Sequence, residues 1–290
     1  MGHWKLGIIG GSGLYDLPGL ESVRTDTIET PWGPPSGDLT IGRLNGLDLV
    51  FLPRHGAGHR IPPHEINFRA NIAALKMAGC TDILSISACG SLKDDLPPGR
   101  FVVVDQYIDR TRNRVNSFFE TGCAAHVSLA DPVCHRLASL AADAAERAGA
   151  PVTRGGTYLA MEGPQFSARA ESALYRSWGC DVIGMTNMPE ARLAREAELP
   201  YAAIAMVTDY DSWREEEAGV DVPAVLAVMR QNAELARRAI AELTNMVSDT
   251  ARTPSPQGIE TGLDTAIITP PDARDPALVE KLKAIAGRVL

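Results

Sequence analysis

The chain has 290 residues, of which 45% are hydrophobic and 22% charged, and its formal net charge is -8 at pH 7. This length and composition predict a globular protein with the core of one large α/β domain or of two smaller ones. The acidic balance argues against general nucleic-acid binding, which needs a basic surface, and no apolar run is long enough to cross a membrane.

The amino terminus and the cysteines predict a cytoplasmic protein. The first residues lead at once into a glycine-interrupted apolar segment, a pattern that does not match a signal peptide. The cysteines are odd in number and contain no CxxC pair, so they predict neither a disulfide framework nor a zinc site. A reducing compartment is therefore expected. The five cysteines are Cys80, Cys89, Cys123, Cys134 and Cys180.

The first half of the chain predicts short strands, one hairpin and one helix. Asn45-Gly46 is a strong signal for a two-residue hairpin turn. Residues 64–78 have helical periodicity and end at Gly79. Short apolar runs predict the strands of this half at 6–9, 38–44, 47–52, 82–87 and 101–104.

The second half predicts helices alternating with three strands. Asp131-Pro132 is typical of a helix start, and that helix is expected to end at Gly149. A long helix is expected up to about residue 243, and Asp275-Pro276 predicts the start of a last helix. The strands are expected at 156–161, 181–185 and 201–207. The residues of the long helix expected to face inward are Val225, Leu226, Met229 and Leu235.

This order of elements predicts the fold class. A hairpin among crossover units favours a mixed sheet over a purely parallel one. We therefore expect a single α/β domain over residues 1–290, with a central mixed β-sheet flanked by helices. The segment at about 251–290 is expected to be a C-terminal extension with its own helix.

The segment Thr208-Asp209-Tyr210-Asp211 directly follows the predicted strand 201–207. Ligands of open α/β sheets bind beyond the carboxyl ends of the strands. Two acids there can present one protonated donor and one anionic acceptor if their pKa values are pushed apart. Such a pair matches the edge of adenine, which has a ring N7 beside an exocyclic amine. Two solvated loop acids would be the better interpretation if the segment stood alone.

The first glycine-rich segment, residues 7–13, places backbone N–H groups and the hydroxyl of Ser12 at the end of a strand. It lacks the third glycine of a dinucleotide fingerprint, and no Gly-Lys-Ser/Thr of a Walker loop occurs. A general anion-binding loop and a simple tight turn explain it equally well.

Arg54 and His55 follow the predicted strand 47–52. Arginine supplies a planar fork suited to phosphate, and histidine can add another donor, although a surface turn is the alternative. The spacing of His55, His59 and His64 matches no standard ligand pattern, so no metal is expected.

Three further segments combine small, hydroxyl and aromatic residues near predicted strand ends. Cys89 has no paired base in the sequence, which disfavours a thiolate nucleophile. Phe166 can stack on a ring, Thr186 offers a hydroxyl, and Met185 either lines a pocket or belongs to the core. The segments are 85–91, 160–167 and 183–190.

The ordered combination of these six motifs resembles the trimeric purine nucleoside phosphorylase superfamily, most closely its methylthioadenosine phosphorylases. The resemblance runs from about residue 6 to 243. It implies a nucleoside phosphorylase-like fold, a homotrimer, and phosphorolysis of methylthioadenosine to adenine and 5-methylthioribose 1-phosphate. Inorganic phosphate is then a co-substrate, and no cofactor is needed.

The resemblance also implies roles for individual residues. Asp209 would contact the purine N7 as the catalytic acid, and Asp211 would accept from the N6 amine. His126 would reach a neighbouring subunit's pocket. Phosphate would be bound by Ser12, Arg54, His55, Ser87, Ala88 and Thr186, and substrate by Phe166, Met185, Thr208, Asp209, Asp211 and His126.

Alternatives stay open. Relatives that prefer 6-oxopurines commonly use Asn in the base site, whereas Asp209 and Asp211 stand there in this chain and favour a 6-aminopurine. A 6-oxopurine nucleoside or methylthioinosine phosphorylase is therefore the second hypothesis. A non-catalytic nucleotide-binding protein is the third. Val222 and Val225 are candidates for the methylthio pocket, and a role in the core is nearly as good an interpretation.

Overall fold

The sheet is built on β5, the longest strand, whose two edges pair with different partners. The computed structural model describes residues 3–11, 14, 17–214 and 222–290, with the backbone alone at residues 222, 224 and 225. The strands are β1 Lys5–Gly10, β2 Glu21–Asp26, β3 Leu39–Leu44, β4 Leu47–Pro53, β5 Asp82–Ser91, β6 Phe101–Val104, β7 Gln106–Asp109, β8 Val152–Arg154, β9 Thr157–Ala160, β10 Val182–Gly184 and β11 Tyr201–Asp209. The helices are α1 Phe68–Met77, α2 His135–Arg147, α3 Arg169–Ser177, α4 Asn187–Glu196, α5 Val222–Val247 and α6 Pro276–Ala286.

The predicted mixed sheet is confirmed. One path runs β2-β3-β4-β1-β5-β10-β9-β7, and β11 pairs with β5 and β6 while β6 also pairs with β8. Strands β4, β1, β5 and β11 are mutually parallel, whereas β10 runs antiparallel to the end of β5. Four carboxyl ends therefore meet at one edge of the sheet.

Helices cover both faces of this sheet, which gives a single three-layer α/β domain. One core cluster contains residues of α1, α4 and α6, and a second contains residues of α2 and α5. The predicted last helix is confirmed, and its apolar stripe of Leu278, Leu282 and Ile285 is buried in the first cluster. No helix among the described residues is long and apolar enough to span a membrane.

The hairpin prediction is confirmed, and its turn requires unusual backbone angles. Asn45 and Gly46 have φ values of 51° and 79°, as the type I′ turn demands at both central residues. The turn sets the register in which Leu44 pairs with Leu47, and successive residues of β4 from Leu49 to Leu52 alternate between the two core clusters.

Several predicted helix limits are wrong. Helix α1 begins at Phe68 because Ile66 is extended and the Asn67 side chain caps it by accepting from the Ala70 amide. Helix α2 begins at His135 rather than after Pro132, because the Cys134 amide is bonded to the Tyr201 carbonyl of β11.

Other elements were missed or misjudged in orientation. Leu226 was expected to face inward, yet 48% of its surface is exposed. It lies in the first turns of α5, whereas the buried residues of that helix, from Asn232 to Val247, lie further along. Three strands and two helices had no predicted counterpart, namely β2, β7, β8, α3 and α4.

Candidate active site

A cavity of about 310 Å³ lies at the edge of the sheet where the parallel strands end. The structure brings ten of the predicted site residues together around it, which no single motif implied. These are Arg54, His55, Ser87, Ala88, Phe166, Met185, Thr186, Thr208, Asp209 and Asp211. The cavity thus combines hydroxyls and a guanidinium with two carboxyl groups.

The remaining predicted residues have different positions. Ser12 lies outside the described residues, although Gly11 and Leu14 beside it line the cavity. The side chains of Val222 and Val225 are also outside the description. His126 is exposed and does not line this cavity in its own chain, so its expected reach into a neighbouring subunit stays a prediction.

Arg54 is held by an extensive buried hydrogen-bond network. Its Nε and Nη2 donate to the two carboxylate oxygens of Glu190 at 2.9 and 3.2 Å. Nη1 donates to the carbonyl of Ile86, and Nη2 also donates to Ser85 Oγ at 2.6 Å. Glu190, which is completely buried, further accepts from Ser85 Oγ and the Tyr201 hydroxyl at 2.7 and 2.8 Å. The guanidinium is therefore fixed in orientation before any ligand arrives.

His55 is a neutral ring at pH 7. Its Nδ1 lies 2.9 Å from the carbonyl oxygen of Ile61, so Nδ1 carries the proton and donates it. Burial, followed by the charge of Arg54, lowers the pKa of His55 to about 4. The ring also stacks on His59 with centroids 4.1 Å apart. Consequently Nε2 is left as a hydrogen-bond acceptor, whereas the sequence suggested a further donor.

The turn after β10 brings the hydroxyl of Thr186 to the cavity wall that also contains Ser87 of β5. Because β10 is antiparallel to the end of β5, the chain leaving it passes back beside Ser87 and Ala88. Ser87 Oγ donates to Asn187 Oδ1 at 3.3 Å. Thr186 is buried, and its hydroxyl makes no hydrogen bond with a described residue. It is therefore available to a ligand.

The two acids at the end of β11 have distinct environments. Thr208 Oγ1 lies 3.1 Å from the Cys89 carbonyl oxygen and 2.7 Å from Asp209 Oδ2, and the Asp211 amide donates to Asp209 Oδ1 at 2.7 Å. Asp211 Oδ2 is buried and has no hydrogen-bond partner among the described residues. Burial raises the pKa of Asp211.

Arg114 connects two walls of the cavity, and sequence reasoning gave it no role. Its Nη1 donates to the carbonyls of Met185 and Met188 at 2.6 and 2.7 Å, and its Nη2 donates to the Glu162 carbonyl at 2.7 Å. Only 2% of its side chain is exposed. Arg114 thereby ties the segment carrying Met185 to the segment that leads to Phe166, which is 49% exposed.

Neither a thiol nor a metal is suggested by the geometry around this cavity. Burial raises the pKa of the Cys89 thiol well above its usual value, which disfavours a thiolate nucleophile. Within the described ranges, no group of three or more His, Cys, Asp or Glu side chains is arranged to hold a metal ion.

Comparison with known proteins identifies the family. The sequence pattern of the Phosphorylase superfamily matches residues 5–245 of this chain. The chain belongs to that superfamily. All cavity residues described above fall within the matched range.

Relatives within the superfamily are similar over nearly the whole chain. The S-methyl-5'-thioadenosine phosphorylase of Cereibacter sphaeroides is 55% identical over 98% of both chains, and that of Bradyrhizobium diazoefficiens is 56% identical with the same coverage. A crystal structure of a methylthioadenosine phosphorylase from an antarctic soil metagenomic library superposes with a TM-score of 0.91 at 43% identity, covering 98% of this chain and 99% of that one. The methylthioadenosine phosphorylase of Schistosoma mansoni in complex with adenine gives 0.82 at 38% identity, covering 89% and 96%.

We predict that Glu190→Gln strongly destabilises this superfamily member. The substitution leaves the buried Arg54 charge uncompensated, so the free energy of unfolding should fall by about 3–5 kcal/mol in urea titrations. Glu280→Gln is the matched control, because Glu280 is 73% exposed and should change stability by about 0.5 kcal/mol or less. A loss of under about 1 kcal/mol for Glu190→Gln would contradict the assigned network.

We also predict that His55 makes stability depend on pH. Between pH 6.5 and about 4 the unfolded chain binds more protons at this residue than the folded chain, so stability falls as pH decreases through that window. The loss attributable to His55 should be about 3 kcal/mol. The stability difference between wild type and His55→Gln should shrink accordingly from pH 7 to pH 4. An unchanged difference, or an equal response of the exposed-site variant His135→Gln, would refute it.

Proposed function

We propose that this protein catalyses phosphorolysis of 5'-methylthioadenosine, with inorganic phosphate as co-substrate and adenine and 5-methylthioribose 1-phosphate as products. The observation that carries the proposal is one cavity with a guanidinium and hydroxyls on one side and two carboxyl groups on the other. The high identity to methylthioadenosine phosphorylases over almost the full chain supports it. The reaction balances without a metal or an organic cofactor.

The phosphate would bind between Arg54, Ser87 and Thr186, with the backbone of Ala88 and the segment containing Ser12 completing the site. Arg54 offers a charged donor, and Thr186 offers a hydroxyl with no bond to a described residue. The neutral His55 would accept through Nε2 from a protonated phosphate oxygen. Phosphate held here supplies both the nucleophile for C1' and a negative charge beside the oxocarbenium-like transition state.

Asp209 would carry the proton that stabilises the leaving purine at N7. A threonine hydroxyl has one proton, yet Thr208 Oγ1 contacts both the Cys89 carbonyl oxygen and Asp209 Oδ2. Both contacts are hydrogen bonds only if the Thr208 hydroxyl donates to the Cys89 carbonyl and a protonated Asp209 Oδ2 donates to Thr208 Oγ1. A donor at N7 matters most when negative charge develops on the purine, which is the condition for raising the rate.

Asp211 would select the 6-amino group. Its buried Oδ2 lacks a partner among the described residues, and an amine N–H directed at it would satisfy that oxygen. An ionised Asp211 would instead repel the O6 of a 6-oxopurine. The preference for 6-aminopurines should be on the order of 1–3 kcal/mol or more, the cost of an unpaired buried polar contact.

We further propose a homotrimer in which His126 completes the neighbouring pocket. The backbone of His126 is anchored by the Ala266 carbonyl, and the side chain is exposed. Ile268 nearby on the same paired segment is 61% exposed, and Phe166 at the cavity is 49% exposed, as expected of surfaces that a neighbouring subunit covers. Phe166 would then stack on the substrate, and Met185 would lie against the ribose.

The five free, buried cysteines support a reducing cytoplasm as the compartment.

The function is tested by measuring base release from methylthioadenosine, methylthioinosine, adenosine and inosine, each with and without phosphate. We expect phosphate-dependent adenine release that is fastest with methylthioadenosine. Faster release from the inosine compounds would keep the mechanism and overturn the role of Asp211. Nucleoside binding without release from any compound would refute phosphorolysis and favour a binding protein.

We predict that Asp209→Asn keeps the fold and loses most of the activity, because the amide cannot deliver a proton to N7. The expected fall in kcat is about 10²–10⁴-fold, typical of losing a general acid. The thermal midpoint should stay close to that of wild type. Near-normal turnover in the folded variant would refute the role assigned to Asp209.

A further inference from the structure

A second cavity, of about 550 Å³, lies away from the candidate active site. It is enclosed by residues 97–100 after β5, by residues 149–151 between α2 and β8, and by the middle of α5. Its apolar walls come from Pro97, Pro98, Pro151 and Leu235. The volume is sufficient for a small metabolite.

Helix α5 separates the two cavities. Met229 and Ala233 line the candidate active site, whereas Gln231, Leu235 and Arg238 line the second cavity. At about 100° per residue these two sets point to roughly opposite sides of the helix. The second cavity is therefore a distinct site rather than an extension of the first.

Asn232 presents an unused acceptor at this second cavity. The residue is completely buried, and its Nδ2 donates to the Val207 carbonyl at 3.0 Å. That bond fixes the orientation of the amide, because the opposite orientation would set two oxygens against each other. The Oδ1 atom is buried and finds no hydrogen-bond partner in the described part of the chain. A ligand with a donor would satisfy it.

Two guanidinium groups give the cavity its charge. Arg100 and Arg238 both line it, and neither guanidinium group makes a hydrogen bond or an ion pair with a residue that the structure describes. Arg100 Nε is also buried. Glu234 also lines the cavity; it forms an ion pair with Arg237, and Arg237, followed by Arg238, lowers its pKa. Two guanidinium groups thus face one carboxylate that is already paired with Arg237, which leaves positive charge at the cavity for an anion.

We propose that this second cavity binds a small hydroxylated anion of the sugar phosphate class. The phosphate accepts from Arg100 and Arg238, a sugar hydroxyl donates to Asn232 Oδ1, and the carbon skeleton packs on the prolines and Leu235. Guanidinium groups are well suited to phosphate, and the buried acceptor requires a donor on the same ligand.

A ligand in this second cavity would contact residues that are hydrogen-bonded to Val207 of β11, the strand that carries Asp209. Val207 precedes Thr208, and its carbonyl accepts from Asn232 Nδ2 and from the Gly99 amide, while its own amide donates to the Arg100 carbonyl. The ligand thus contacts residues bonded directly to the strand that carries Asp209. The proposal concerns binding alone and does not depend on the proposed reaction.

The test is isothermal titration calorimetry of the full chain with ribose 5-phosphate, beside inorganic phosphate and ribose. We expect saturable binding of ribose 5-phosphate, and in the binding component that the Arg100→Gln, Arg238→Gln double variant loses, each fragment should bind at least about tenfold more weakly. Binding of inorganic phosphate that the double variant retains is assigned to the candidate active site. Arg100→Gln combined with Arg238→Gln should weaken binding by at least about tenfold, and Arg238→Gln alone should weaken it less. Arg230→Gln removes an exposed charge from the same helix outside both cavities and should bind as wild type does.

Three results would overturn the proposal. One is the absence of saturable binding at about 10 mM ribose 5-phosphate. The second is unchanged binding in the double variant, which would assign the heat to another site such as the candidate active site. The third is an affinity for inorganic phosphate equal to that for ribose 5-phosphate in the binding component that the double variant loses, which would contradict the role of Asn232 as the acceptor of a sugar hydroxyl. Activity assays are not involved, so failure here leaves the proposed reaction untouched.

Discussion

A buried guanidinium can serve a binding cavity only if its charge is balanced within the protein, and the pair of Arg54 and Glu190 meets this constraint. Arg54 follows β4, Glu190 comes from α4, and the groups that complete the network, Ser85 and Tyr201, come from β5 and β11. Four elements must therefore be correctly positioned for the Arg54 guanidinium to make its hydrogen bonds. Leaving either charge unpaired would cost several kcal/mol. The same network therefore stabilises the fold and fixes the position of Arg54 at the cavity.

Much of this architecture could be predicted because the strand signals are local. Apolar runs bounded by turn residues marked β1, β4, β5 and β11, and their parallel pairing brings their carboxyl ends together. Motifs placed directly after those strands, such as Arg54 and Asp209, had to lie near one another once the sheet formed. The short strand β7 was missed because its sequence, Gln-Tyr-Ile-Asp, has polar residues at both ends, whereas the equally short β6 is a continuous apolar run.

The supporting residues could not be predicted, because their roles depend on contacts distant in sequence. Glu190 lies 136 residues from its partner Arg54, and nothing around either residue specifies the pairing. Arg114 acts through four backbone carbonyls, which leave no trace in the sequence of the segments that supply them. Residues Arg110 to Arg114 have the pattern of an exposed basic loop, so the burial of Arg114 could not be predicted from the sequence.

The position of Asp209 and Asp211 at the cavity depends on a local irregularity where β11 pairs with β5. Val207 pairs with Cys89 and Asp209 pairs with Gly90, so Thr208 is an extra residue that interrupts the alternation of side chains. A β-carbon at position 90 would lie 3.1 Å from Asp209 Oδ1 and 3.2 Å from Asp211 Cβ. Glycine is therefore the residue that lets both acids approach the neighbouring strand. Asp211 itself adopts a φ of 52°, a conformation that aspartate tolerates better than most residues. The bulge, the glycine and the left-handed aspartate together place two carboxyl groups, at the end of an ordinary buried strand, on the wall of one cavity.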